Sequence, residues 1–329
     1  MNHDYFMNRC IELATSGLGN TYPNPMVGAV IVYNNTIIGE GWHHSSGNPH
    51  AEVNAINQVK KKKLLPFATL YVSLEPCSHY GKTPPCSLLI IEKKIKKVVV
   101  GTIDNNPKVA GNGIKLLQKN GIEVILGVCE NECKALNKRF FTFHDKKRPF
   151  IILKWAKSKD NFISPIAKKN KTPFWISNEF SRVLTHKWRT EEQAILVGTQ
   201  TILDDNPTLD ARLWIGKNPI RIVIDANDKI NENFNIKNNL VTTIIFTQKY
   251  KENTKNITYI NFTNEENLCE LILKKLYQQG IQSLIIEGGN QLKATKWPNL
   301  GLCTMASLAW CRGQILAVWS LHHSKEAMV

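Results

Sequence analysis

The sequence predicts two successive α/β domains, each built on a sheet with helices on both faces. Three observations carry this. Short apolar strand patterns alternate with amphipathic helical patterns along most of the chain. Its 329 residues suit two cores of ordinary size better than one. A basic stretch, Asp145-Lys146-Lys147-Arg148-Pro149, interrupts the alternation and marks the join.

The first series opens with a helix over residues 3 to 17, where Phe6, Cys10, Leu13 and Ala14 recur at helical spacing before Gly17. Residues 27 to 32 and 36 to 41 read as strands joined by a turn at Asn34-Asn35. Next comes a helix that Asn48 can cap, with Pro49 at its first position and Val53, Ile56 and Val59 on one face. A buried strand at 70 to 74 follows, and Thr83-Pro84-Pro85 opens another helix. A strand at 98 to 100, a helix at 113 to 119 and a strand at 122 to 126 complete the series. Residues 129 to 144 read as a connecting helix, with Cys129 and Cys133 packed in its core. The second series comprises strands at 150 to 155, 194 to 197, 220 to 224, 243 to 246 and 283 to 286, with a helix at 178 to 190. The expected division is therefore 1–145 and 146–292, with an atypical tail at 293–329.

Composition bounds the function only loosely. Hydrophobic content of 43% and charged content of 21% suit a soluble protein with real cores. The N-terminus lacks a basic segment followed by an apolar run, so no secretory signal is read and a cytoplasmic protein is expected. Eight cysteines in such a chain read as free thiols or metal ligands rather than disulfides. A net charge of +15 suits nucleic acid, an anionic membrane or a phosphorylated small molecule. It equally reflects a Lys-, Asn- and Ile-rich composition whose runs, such as Lys60 to Lys63, form solvated surface. Charge alone decides nothing here.

The chemistry is more specific. His50-Ala51-Glu52 opens a helix, Glu75-Pro76-Cys77 ends a strand, and Cys86 lies in the first turn of the next helix. Singly, each feature is commonplace: a capping His, or core thiols. Together they follow the order of the zinc deaminases, His-x-Glu and then Pro-Cys with a second Cys. Helix starts favour thiolate over thiol, at Cys86 and also at Cys77. Three protein ligands, His50, Cys77 and Cys86, leave a fourth position for water, as in catalytic rather than structural sites. Zinc brings the pKa of that water to about 7, and Glu52, not itself a ligand, can move its proton. His79 either helps to bind substrate or shapes its loop.

Cys77 and Cys86 enclose eight residues, where nucleoside and transfer-RNA deaminases place about two. The segment Pro76-Cys77-Ser78-His79-Tyr80-Gly81-Lys82-Thr83-Pro84-Pro85-Cys86 resembles the deaminase domain of the bifunctional riboflavin-biosynthesis deaminase/reductases. Residues 21 to 28 (Thr-Tyr-Pro-Asn-Pro-Met-Val-Gly) and 106 to 113 (Asn-Pro-Lys-Val-Ala-Gly-Asn-Gly) resemble it too. The second domain is similar to the reductase half at Lys154 to Asp160, Trp175-Ile176-Ser177, Val197 to Leu209, Phe246-Thr247 and Ile286 to Gly289. The resemblance implies a cytidine-deaminase-like three-layer α/β/α domain followed by a dihydrofolate-reductase-like α/β domain that uses NADPH. It implies hydrolytic deamination of a phosphorylated diaminopyrimidine bearing a ribosylamino group, then reduction of the ribosyl group to ribityl. By the same resemblance Ala156, Trp175, Thr201, Asp205, Thr247 and Gly289 line the NADPH site, and Arg189, Leu209, Arg212 and Glu287 meet the substrate. Read on their own, Gly288-Gly289 lets a backbone approach a phosphate closely, and the two arginines can hold one by paired hydrogen bonds. Lys159 and Asn161 depart from the family, which usually has Leu and Gly there.

Two rivals belong to other classes. A nucleic-acid deaminase would suit the charge, but the long Cys77–Cys86 loop and the second domain speak against it. A non-enzymatic, zinc-stabilised basic module would need a fourth protein ligand in place of a free Glu. The expected partner is thus a phosphorylated pyrimidine, with no nucleic acid or membrane, in a homo-oligomer. From residue 293 the Lys/Asn/Ile bias gives way to an apolar tail containing Trp297, Trp310 and Trp319. A frameshifted reading would produce this, and Arg312 argues against a membrane anchor at 301 to 319. The sequence therefore predicts a reductase sheet lacking its last strands.

Overall fold

The computed structural model describes residues 2–80, 84–105, 110–156 and 176–288, and the backbone alone for 157, 303–311 and 314–322. The chain divides into two units, Met1–Lys146 and Lys147–Val329.

In the first unit, β1 (Gly28–Tyr33) and β2 (Thr36–Trp42) form a hairpin in which Tyr33 pairs with Thr36. Asn34 and Asn35 both take positive φ, 49° and 58°, the twist that a tight hairpin turn needs. Beside β1 lies β3 (Thr69–Leu74), antiparallel to it, and then β4 (Lys97–Thr102) and β5 (Glu123–Leu126), both parallel to β3. The order is β2-β1-β3-β4-β5.

Alternation divides the side chains between two faces. Ala29, Ile31, Leu70, Val72, Val98 and Val100 pack under α2 (Ala51–Gln58), α3 (Cys86–Glu92) and α4 (Asn112–Lys119). Val30, Val32, Tyr71 and Val99 pack under α1 (His3–Thr15) and α5 (Glu130–Leu136), where Cys133 is fully buried. The unit is the expected α/β/α sandwich.

Two local expectations change. The helix start is not at Pro49: His50 holds the extended cap position, α2 begins at Ala51, and Asn48 bonds Ser45 Oγ instead. The connecting helix is two helices, α5 and α6 (Lys138–Lys146). They part at Asn137, whose amide exchanges two 2.8 Å hydrogen bonds with the Met26 backbone. Satisfying a loop's buried N–H and C=O outweighs helical continuity at one residue.

The second unit has the order β10-β9-β8-β7-β11-β6-β12-β13. Its first six strands in that order are parallel to one another: β6 (Phe150–Lys157), β7 (Ala194–Gly198), β8 (Ile220–Ile224), β9 (Thr243–Thr247), β10 (Ile257–Asn261) and β11 (Ser283–Glu287). One face is covered by α9 (Leu268–Gln278) through Ile272, Leu273 and Leu276. On the other, Trp188 of α7 (Glu179–Glu191) and Ile202 of α8 (Thr199–Asp205) pack on Ile285 and on Val197 respectively.

Sequence reading omitted α8, β10 and α9. Helix α8 is too short for a periodic signal, and β10 is a half-exposed edge strand. For α9 the signal was there: Asn267 caps it by accepting from Glu270 N–H.

The tail corrects an expectation. The sheet does not stop at β11: β12 (Cys303–Cys311) runs parallel to β6, pairing Cys303 with Ile151 through Ala309 with Lys157. β13 (Gln314–His322) returns antiparallel to β12. An apolar stretch can satisfy its backbone by pairing with an open strand edge, whatever its compositional bias. No helix among the described residues is long and apolar enough to cross a membrane; Arg312, in the proposed anchor segment, lies outside them.

Candidate active sites

The first site gathers at the C-terminal end of β3 and the starts of α2 and α3. His50 Nδ1 lies 3.6 Å from Cys77 Sγ and 3.4 Å from Cys86 Sγ. The three donor atoms all lie within 4.8 Å of one another. Zn–N of about 2.0 Å and Zn–S of about 2.3 Å at tetrahedral angles put N and S about 3.5 Å apart. The donor set therefore fits zinc in both chemistry and spacing.

Local structure fixes each donor. Cys77 follows β3, accepts the Cys86 backbone N–H at 3.3 Å, and gives its carbonyl to Ser87 N–H at 3.1 Å. The helix start thus aims its amide at Cys77 rather than at the sulfur of Cys86. The electrostatics follow this: a hydrogen bond from the Cys86 thiol, helped by His50 and that amide, pulls Cys77 well down. Cys86 is pushed up by giving its proton to Cys77 and by burial. Both sulfurs are positioned as donors, and a bound metal demands both as thiolates.

Glu52 is 3% exposed on the first turn of α2. Burial, with the Cys77 charge added, raises its carboxyl to about 7, and it reaches the Cys86 thiol. A buried carboxyl poised there can accept and return a proton near neutrality. Reading the sequence missed His43, which is 3% exposed and edge-on to His50 with ring centroids 5.3 Å apart. Its Nδ1 meets the Pro49 carbonyl at 3.2 Å, so that nitrogen donates and Nε2 accepts from Asn24 Nδ2 at 3.0 Å. Burial holds His43 below its ordinary pKa. The sequence signal was a His seven residues before His50 in Gly41-Trp42-His43. His79 is exposed.

In the second unit the structure brings Arg189, Arg212 and Glu287 close together. Arg189 grips Glu287 through Nε at 3.3 Å and Nη2 at 3.0 Å, and gives Nη1 to the Asp210 carbonyl at 3.0 Å. Lys154, paired with Glu287 across β6 and β11, adds a contact of 3.4 Å. Burial alone would raise Glu287, but Arg189 and Lys154 outweigh it and hold the carboxyl at about 2. Arg212 is exposed and bonds Thr208 Oγ1 at 2.7 Å. Leu209, 2% exposed at φ 52°, packs in the core with Ile202 and Val223. Lys154 and the buried His186, one turn before Arg189, are members of this cluster that were not picked out as site residues.

Of the expected cofactor residues, Ala156 lies near the C-terminal end of β6, Thr247 ends β9, and Thr201 and Asp205 sit on α8 directly after β7. Trp175 and Gly289 lie outside the described residues, as do Lys159 and Asn161. Ala156 and Thr247 lie at the edge where the parallel strands end, the usual ligand edge of an open α/β sheet, and α8 starts from that edge.

Comparison with known proteins agrees with both halves. Residues 1–102 match the cytidine and deoxycytidylate deaminase zinc-binding region, and residues 149–297 match the RibD C-terminal domain. The riboflavin biosynthesis protein RibD of Aquifex aeolicus is 40% identical over 293 residues, 86% of this chain and 80% of its own. That of Actinobacillus pleuropneumoniae is 39% identical over 297 residues, 87% and 78% of the two chains. A solved diaminohydroxyphosphoribosylaminopyrimidine deaminase/5-amino-6-(5-phosphoribosylamino)uracil reductase from Thermotoga maritima superposes with a TM-score of 0.83 at 40% identity, over 96% of this chain and 89% of that one. RibD of Acinetobacter baumannii gives 0.81 at 31% identity, over 99% and 92%. These matches favour neither the nucleic-acid deaminase nor the binding module. With a zinc deaminase half and an NADPH-dependent reductase half in this order, the chain belongs to the RibD family of bifunctional deaminase/reductases of riboflavin biosynthesis.

Proposed function

We propose that His50, Cys77 and Cys86 hold the deaminase zinc and that Glu52 carries the protons, on a diaminopyrimidine bearing a ribosylamino 5′-phosphate. The observation that carries this is the tetrahedral spacing of the three donors beside a buried carboxyl near pKa 7. Zinc supplies an activated water there. Glu52 takes one proton from water and gives it to the ring nitrogen as hydroxide adds to the amino-bearing carbon. It then takes the proton of the new hydroxyl and gives it to the amine as the C–N bond breaks and ammonia leaves, ending as it began. His43 and Asn24 shape the wall beside His50.

In the second unit Arg189 and Arg212 bind the anionic end of the deaminated product, and Glu287 fixes Arg189 in place. NADPH supplies hydride to the opened ribosyl group. Thr247 on β9 and Ala156 on β6 are four strands apart in the order β9-β8-β7-β11-β6. At about 4.8 Å per strand that is about 19 Å, a span for an extended dinucleotide. Trp175 and Gly289 belong to the same proposal by resemblance.

The homo-oligomer expectation draws on Leu213, Trp214 and Ile215, consecutive apolar residues exposed at 46%, 44% and 99%. A cytoplasmic setting is supported by the unpaired cysteines Cys10, Cys129, Cys133 and Cys269. The test is product identity. The chain should release ammonia from the diaminopyrimidine phosphate without NADPH, and yield the ribityl product only with it. Deamination of cytidine or of a nucleic acid instead would overturn the substrate assignment.

A further inference from the structure

A buried carboxylate outside the ligand set grips the segment that carries Cys77. Glu75 ends the run that enters from β3, the central strand, and is 5% exposed. Its Oε1 accepts the N–H groups of Gly113 at 2.9 Å and Ile114 at 3.4 Å. Its Oε2 accepts those of Gly111 at 2.9 Å and Asp104 at 3.3 Å. One side chain thus ties the end of β3 to the second residue after β4 and to the first turn of α4.

The next residue is held from the same side. A Cβ on Gly113 would lie 2.0 Å from the Pro76 carbonyl oxygen, so α4 starts in direct contact with the peptide that leads into Cys77. From the other side α3 grips Cys77, by the Cys86 N–H on its sulfur and the Ser87 N–H on its carbonyl. The backbone of residues 75 to 77 therefore sits between two helix starts, and Glu75 closes the α4 side.

We propose that Glu75 is a positioning residue for the metal centre: through its four backbone hydrogen bonds it fixes where Cys77 Sγ stands relative to His50 and Cys86, and so sets zinc affinity. The proposal rests on the ligand assignment above. Outer-shell partners of metal ligands typically carry a ten- to hundredfold effect on affinity. Glutamine is the telling replacement. Either way round, its NH₂ would face two of the four N–H donors, because each carboxylate oxygen serves two of them.

The test uses the full chain loaded with zinc or with cobalt(II), whose visible bands report the geometry of the donors. Glu75→Gln should weaken zinc about ten- to a hundredfold in chelator competition and shift or weaken the cobalt bands. Glu75→Asp, which keeps the charge but falls one methylene short, should show a smaller change in the same direction, and stands in if the Gln variant does not fold. Asn137→Ala is the control. It removes a buried tether in the same unit, at Met26, and should lower thermal stability without altering the cobalt bands. Wild-type zinc affinity and an unchanged cobalt spectrum in the folded Glu75 variants would overturn the proposal. So would an equal spectral change in Asn137→Ala, which would trace the effect to general loosening. Failure of the ligand assignment reads differently: wild type would then show no thiolate-to-cobalt absorption at all.

Discussion

At the scale of single residues, the proposed roles at the first site separate holding the metal from moving protons. His50, Cys77 and Cys86 face one point, while Glu52 stands beside them, buried and close to neutrality in its pKa. Cys86→Ala should lose the zinc, since two remaining donors hold it poorly; full occupancy by elemental analysis would sink the ligand assignment. Glu52→Gln should keep zinc and lose deamination on the order of a hundredfold or more. Release of the metal in that variant would make Glu52 a ligand instead. In the second unit Glu287 has a different task. Its carboxyl is held at about 2, below the ordinary 4.5, by Arg189 and Lys154 against its burial. A depressed carboxyl stabilises fully above its unfolded pKa and loses that contribution as pH falls toward its folded one. The second unit should therefore lose on the order of a few kcal/mol between about pH 4.5 and about pH 2. Urea titrations of the full chain, read by hydrogen exchange in β6 and β11 peptides, would show it, and a midpoint flat across that range would refute it.

At the scale of elements, close approach decides which positions tolerate a side chain. Helix α1 lies so near β1 that a Cβ on Gly28 would meet the Cys10 carbonyl oxygen at 2.0 Å. Backbone cannot yield there as a flexible side chain would, so Gly28→Ala should destabilise the first unit by about 1–3 kcal/mol. A thermal midpoint unchanged for that unit would contradict the packing. The same reasoning shows what sequence patterns could not reveal about α5 and α6. Residues 129 to 144 carry a continuous helical pattern, and only the distant Met26 backbone explains the break at Asn137.

At the scale of the whole molecule, the proposed zinc ligands and proposed proton carrier all lie in the first unit, and β12 and β13 in the second. Ending the chain after residue 302 would uncover the edge of β6 along seven paired residues, Ile151 to Lys157. That strand also carries Lys154 and Ala156. Such a truncation should cut NADPH oxidation sharply when deaminated substrate is supplied, and leave ammonia release within about twofold, because separate cores fail separately. Equal reductase turnover would show that the tail contributes nothing to the sheet.

Much of this was legible in order along the chain. The periodic strands of both sheets, the Asn34-Asn35 hairpin and the His50, Glu52, Cys77 and Cys86 set could be read from local patterns, because a strand's alternation and a ligand's chemistry are written in neighbouring residues. What the sequence could not settle depends on residues far apart in the chain. It could not settle which sulfur receives the helix amide, that Glu75 reaches four N–H groups between Asp104 and Ile114, or that Lys154 shares Glu287 with Arg189. Nor did the tail's composition reveal that its backbone pairs with β6. Hydrogen bonds and ion pairs are short-ranged, so these facts exist only once folding has brought distant segments to within about 3 Å.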